Sequence, residues 1–478
     1  MKPSHTHRRV VFTLLLLAVH TVVAFGNSNL DDILNPQSQV DYVIICPSRY
    51  AAIVQPLADF RRSHNGFNTA IVTTEAIYQI FRQRTAPDSA IREFITYSLT
   101  SWPNPKPQYF LLVGNVNAVP SHKEEGLTWY GEDSIMVDQW LVEGIQDTTF
   151  PRPAAAIGRF PGWNETDMAT LVNKTIQYEQ QDDASWMNRA IAVADYEPEI
   201  GNEFELGAQS HLRKFSQRWR DTLSVHVRLD SPHHRTRSEF RNLWNRGSAF
   251  VWFIGFVNAI RFSHSNYFVL SDIDSLAAPA PLPMVRLLGG QRFERRDTLC
   301  LASRLLLTPG KGSICTVSPT GLAYYTGQLA LGQGVLDQLL RNPRLTTGKA
   351  LLNYKRSSPD EQDRKETLLG DPALTIRHAL TAGAGGPPDL PQSVQLFQNY
   401  PNPFNPSTII RFDLPRDGNA SLKVYDIVGR EIAVLASEFK KAGAYRVAFS
   451  SDELPSGVYF YRLNAGGTRL SRKMVVVK

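Results

Sequence analysis

Cysteine is scarce in this chain: three in 478 residues, at Cys46, Cys300 and Cys315. An odd, widely spaced set excludes a disulfide framework, permits one disulfide at most and matches no metal-ligand spacing. Beyond Ala24 no stretch approaches the ~18 unbroken apolar residues of a membrane-crossing helix. No Gly-x-Ser-x-Gly elbow and no phosphate-binding glycine loop occurs, which removes two common enzyme signatures. His211, His226, His233 and His234 lack the i, i+4 pairing of a zinc-peptidase helix and read as core or solvated residues. What is present is ordinary globular usage, 42% hydrophobic and 20% charged, which excludes disorder and a multi-span membrane protein. The length suits two to four domains, and 30 prolines with 31 glycines indicate many turns.

The N-terminus has the parts of a secretory signal peptide. Lys2, Arg8 and Arg9 precede an apolar run from Val10 to Ala24, then Phe25, Gly26 and Asn27. The expectation is a signal peptide over residues 1–26, with an uncleaved anchor as the alternative. Its removal lowers the balance from +6 to +3, with 48 basic against 45 acidic residues. Basic clusters such as Arg292, Arg295 and Arg296, or His233 to Arg237, have no aromatic ladder interleaved. No nucleic-acid partner is expected.

Residues 379–392 concentrate glycine and proline without a hydrophobic period and read as a linker. Beyond it, Thr408–Leu414, Ala420–Tyr425, Tyr445–Phe449, Val458–Leu463 and Leu470–Val477 are short strands bounded by turn residues. This spacing predicts a small all-β sandwich over 393–478. Asn399-Tyr-Pro-Asn-Pro-Phe-Asn-Pro-Ser-Thr408, Val424-Tyr-Asp-Ile-Val-Gly-Arg430, Leu454-Pro-Ser-Gly-Val-Tyr-Phe-Tyr461 and Arg472-Lys-Met-Val475 resemble the C-terminal sorting domain of type IX secretion cargo. The resemblance implies export through the periplasm of a Gram-negative bacterium to the cell surface or medium. The type IX secretion machinery would be the partner of residues 393–478, and outer-membrane surface association would be an available end state.

Residues 41–378 alternate apolar strands with amphipathic helices. Tyr42–Cys46, Ala70–Thr73, Tyr109–Val113, Ala190–Val193, Val225–Leu229 and Ala249–Ile254 are strand runs separated by helical stripes. Repeated units of this kind predict two mostly parallel α/β subdomains, over 40–185 and 186–378, with chemistry at the carboxyl ends of strands. Leu111-Leu-Val-Gly-Asn-Val-Asn-Ala-Val-Pro120, Ala156-Ile-Gly-Arg-Phe-Pro161, Leu270-Ser-Asp-Ile-Asp-Ser-Leu276, Ser318-Pro-Thr-Gly321 and Thr367-Leu-Leu-Gly-Asp-Pro-Ala-Leu374 resemble the gingipain family of cysteine peptidases. That resemblance implies a caspase-like second subdomain.

A cysteine peptidase needs a thiolate nucleophile, an imidazole within hydrogen-bond reach, and backbone N–H groups facing the oxyanion. The resemblance implies a histidine in a Gly-His-Gly turn after the 249–254 strand, about fourteen residues before Leu270. That position is Phe256. The implied cysteine falls on Gly290, or on Gly289 if the alignment slips by one. Phenylalanine does not titrate and glycine has no side chain, so both halves of the dyad are missing. His264 and Cys300, 36 residues apart, are the substitutes to weigh. His264 falls in a loop, while Cys300 opens the helical run Leu301 to Leu307. Cys46 and Cys315 read as strand residues of the core.

No cofactor is required by this reading. The family resemblance allows structural calcium, for which Asp133, Asp138 and Asp147 are the candidate carboxylates, although no contiguous calcium-loop pattern occurs. The expectation is a catalytically degenerate, exported gingipain-like protein that binds a peptide or protein ligand. An active cysteine endopeptidase with another arrangement and a surface adhesin or scaffold are the alternatives.

Overall fold

In the computed structural model the described residues are 34, 39–81, 86–125, 135–145, 152–181, 186–198, 203–215, 221–229, 231–289, 300–321, 323, 325–358, 360–377, 394–396, 399, 402–441, 443–451 and 454–477. The expected signal peptide, the linker, Asp133, Asp147 and Gly290 lie outside them. Residues 1–382 and 383–478 form two separate units.

In the first unit, strands β1 (Tyr42–Cys46), β2 (Thr69–Thr73) and β3 (Tyr109–Val113) are buried at every position. This is what strands covered on both faces by helices require. Strand β4 (Ala156–Phe160) completes the first half of the sheet. Helices α1 (Ser48–Asn65) and α3 (Glu165–Gln180) share one core with these strands, while α2 (Pro87–Ser101) belongs to another. Helix α1 stops at Gly66, whose φ of 70° is left-handed.

The second half contains β5 (Arg189–Ala194), β6 (Asp221–His226), β7 (Phe250–Ile254), β8 (Met284–Leu287) and β9 (Cys315–Pro319). Its helices are α4 (Glu203–Leu212), α5 (Arg237–Asn245), α6 (Leu301–Leu307), α7 (Tyr325–Arg341) and α8 (Thr347–Ser357). A late strand, β10 (Glu366–Leu369), returns to the middle.

The two halves form one ten-stranded sheet, in the order β2-β1-β3-β4-β10-β9-β8-β7-β5-β6. Every neighbouring pair is parallel except β9 with β10. The strands of the two halves therefore run in opposite directions, and their carboxyl ends lie on opposite edges of one sheet. The α/β architecture follows the sequence reading; the shared sheet and the reversal are additions to it.

Three buried ion-pair systems fix this arrangement. Arg61 of α1 reaches Glu179 of α3 at 2.7 Å and Asp371, just after β10, at 2.9 Å. On β4, Arg159 grips both oxygens of Asp138, at 2.6 and 2.8 Å, and donates to the Gly114 and Val119 carbonyls. Arg286 of β8 meets Glu366 of β10 at 2.7 Å. Buried charges survive only when paired in this way. Asp138, the calcium candidate within the described residues, has Arg159 as its ion-pair partner, and Ser121 also donates to it.

The second unit holds two antiparallel sheets. Strand β11 (Ser407–Leu414) is central in the first, pairing with β14 (Gly443–Ser450) on one side and with the short Gln395–Leu396 segment on the other. The other sheet runs β13-β12-β15-β16, from β12 (Gly418–Tyr425), β13 (Glu431–Lys440), β15 (Gly457–Ala465) and β16 (Thr468–Val476). Leu396, Ile410, Phe412, Leu422, Val424, Tyr461 and Leu463 supply its own core. Strand β13 is absent from the sequence reading. It is an edge strand whose Val434 and Phe439 remain exposed, so no alternation marks a buried face.

Candidate functional site

The second half-sheet carries the positions that resemblance assigns to the chemistry. Strands β5, β7 and β8 end together, and their exits run through Asp195, Gly255-Phe256 and Leu288-Gly289. Asp195 is 1% exposed and accepts from the backbone N–H of Tyr196 at 2.8 Å and of Phe256 at 3.1 Å. Burial pushes its carboxyl above the usual range, against hydrogen bonds from Ser263, Tyr196 and Phe256. Gly255 has φ 146°, and a Cβ there would stand 2.1 Å from the Asp195 Cβ. The β7 exit is therefore shaped around Asp195 and accepts only glycine.

Phe256 occupies the expected histidine position, half-buried. The ring of His264 stacks on it, with centroids 3.6 Å apart and planes 22° apart. His264 comes from a turn closed by Ser263 N–H donating to the Phe256 carbonyl at 2.8 Å. Ser263 and Asn266 both sit in the left-handed region, with φ 68° and 56°. Such positions cost non-glycine residues on the order of 1 kcal/mol or more and mark a constrained turn. Nδ1 of His264 lies 2.5 Å from Oε1 of Glu197, two residues beyond Asp195. An imidazole thus lies against the expected position, carried by a different segment and oriented by a carboxylate.

No thiol accompanies it. All three cysteines are buried. Burial, with Glu75 adding to it, pushes the Cys46 thiol up to about 12, and burial pushes the Cys315 thiol further still. Cys300 caps α6 and is 0% exposed, with Sγ donating to Ser303 Oγ at 3.4 Å, while His264 is outside with Glu197. The two proposed substitutes therefore do not form a dyad. Gly289, the alternative cysteine position, is closed sterically: a Cβ there would stand 2.0 Å from the Val257 carbonyl oxygen.

The other motifs build the frame. Asp272, in Leu270-Ser-Asp, is 3% exposed and binds Arg237 at 2.7 Å and Arg241 at 3.2 Å, while accepting from Val269 N–H. Asn115 accepts from the N–H groups of Asn117 and Ala118 and shapes the loop after β3. His211 is buried against Trp252, and His226 lies 3.5 Å from Glu205. Among the described residues no group of three or more His, Cys, Asp or Glu side chains could hold a metal ion, and no helix is long and apolar enough to cross a membrane. Asp195 and Glu197 were not singled out from sequence; the available signal was an acidic pair at a strand's carboxyl end.

The complex of pro- and mature domains of Porphyromonas gingivalis RgpB is similar at a TM-score of 0.60 and 16% identity, covering 91% of this chain and 100% of that one. The Arg-specific cysteine proteinase gingipain R (RGPB) gives 0.59 at 17% identity, covering 92% and 99%. At these identities the likeness concerns the fold. A search among curated proteins found no match. The model of the secretion system C-terminal sorting domain matches residues 398–477, which marks the chain for the cell surface or exterior. The model of peptidase family C25 matches residues 35–377, and the chain belongs to that family, the gingipains.

Proposed function

We propose that this is an exported C25-family protein whose peptidase site has decayed and which holds a peptide or protein ligand in the former substrate cleft. One observation carries the reading: three cysteines in the whole chain, and all three buried. A thiolate nucleophile must be accessible to a scissile carbonyl. Phe256 in the histidine position and the closed Gly289 support the same reading. Removing members of a nucleophile–base unit costs orders of magnitude in rate.

The test is incubation of the folded mature protein with a thiol-directed peptide probe and a broad peptide library. The expected outcome is no labelling, no cleavage and saturable peptide binding. Cleavage abolished by Cys300→Ala or His264→Ala would establish the alternative, an active endopeptidase. Absence of any peptide binding would favour an adhesin or scaffold. The His264–Glu197 pair is the one observation that favours retained chemistry, and those variants address it directly.

A further inference from the structure

The first half-sheet has a second candidate site at the opposite edge. In the order β2-β1-β3-β4, the connection leaving β1 goes to β2 on one side and the connection leaving β3 goes to β4 on the other. The crevice between the carboxyl ends of β1 and β3 is thus a topological switch point, where open α/β sheets hold ligands. An open cleft of about 710 Å³ lies there, lined by Arg49, Asn115, Asn117, Trp163, Asn164 and Asp167. Arg49 follows β1, Asn115 and Asn117 follow β3, and the last three follow β4. Three consecutive strand ends converge on it.

Several of these groups have uncommitted hydrogen-bonding capacity. Arg49 lies over the Tyr50 ring at 4.8 Å and makes no ion pair among the described residues. The Asn164 Oδ1 caps α3 by accepting from Asp167 N–H, which leaves its amide donors open. Asn117 is exposed, and its side-chain amide has no partner among the described residues. Asp167 and Asn115 are already spent on the loop, at Trp163 N–H and at Asn117 and Ala118 N–H. An indole flank beside two open amides offers an apolar platform with paired donors and acceptors. A guanidinium adds a fork for a carboxylate.

A peptide added as an extra strand has no place here, and one held by side chains alone is what the oligoglutamate arm below tests. Peptides added to a sheet use the unpaired backbone of an edge strand. The cleft sits at the ends of interior strands, whose backbone groups pair with neighbours. We propose that the β1/β3 cleft binds a carboxylate-bearing saccharide, with Trp163 as its platform, Asn117 and Asn164 as hydroxyl partners and Arg49 as the carboxylate partner.

The experiment is titration calorimetry of the mature chain with oligogalacturonide, the matching neutral oligogalactoside and oligoglutamate. Oligogalacturonide should bind about tenfold more tightly than the neutral oligomer, the size of one charged hydrogen bond. Arg49→Gln should erase that difference. Asn117→Ala, at an exposed position, should weaken both saccharides several-fold, and Trp163→Ala should weaken them about tenfold. His264→Ala should change neither. The proposal is overturned if no saccharide binds, if Arg49→Gln and Asn117→Ala leave binding unchanged, or if oligoglutamate matches oligogalacturonide.

Discussion

The two halves of the sheet are built alike and have kept different things at their carboxyl edges. The first retains an open polar cleft whose side chains have spare hydrogen bonds. The second retains a closely fitted edge, Asp195 against Gly255 and Gly289 against Val257, around positions that carry no nucleophile. The motifs that carry the family resemblance explain how this coexists with an intact fold. Arg159, Asp272 and Asp371 are buried ion-pair residues, and Asn115 is a buried loop former. They hold strands and loops in place. The frame and the chemistry rest on separate residues, so one can be lost without the other.

Breaking the frame should have the largest effect. Arg159→Met strands the Asp138 carboxylate, which is 3% exposed, and should cost about 3–5 kcal/mol in urea unfolding. Acid comes next. Burial holds His211 down at about 4, with Arg286 and Lys214 assisting and the Gly207 carbonyl and Asp337 opposing. The unfolded chain takes up that proton near pH 6.5. Stability is therefore full above that pH and falls as the pH drops toward 4, by about 3 kcal/mol in total. His211→Asn should flatten this limb of the stability–pH curve.

Smaller effects sharpen the difference between the edges. Gly289→Ala forces a methyl group onto the Val257 carbonyl and should cost about 1–3 kcal/mol. His264→Ala removes an exposed ring and should change stability by less than about 0.5 kcal/mol, while weakening peptide binding. A larger loss of stability for His264→Ala than for Gly289→Ala would reverse the distinction between frame and site.

Much of the α/β fold was legible because fully buried strands and striped helices leave different periods in the sequence. Tyr42–Cys46 and Phe250–Ile254 announce themselves. The reversal of the half-sheets was not legible. It depends on β10, four residues whose partners in β9 and β4 are remote in the chain, and nothing local specifies their direction. Counting residues located Phe256, and the structure puts His264 against it. The partner Glu197, 67 residues away from His264, needed the fold. The closure of Gly289 by a carbonyl is a fact of backbone approach that no residue type announces.

The strand reversal at β9 and β10 has a consequence for occupancy. Ligands at the two edges would share neither strand ends nor loops, and neither could block the other's entrance. Their binding free energies should add, as expected for separated sites. If the two proposed ligands bind, a sheet reversed at its middle would act as a two-ended connector, with one ligand at each end of a shared core.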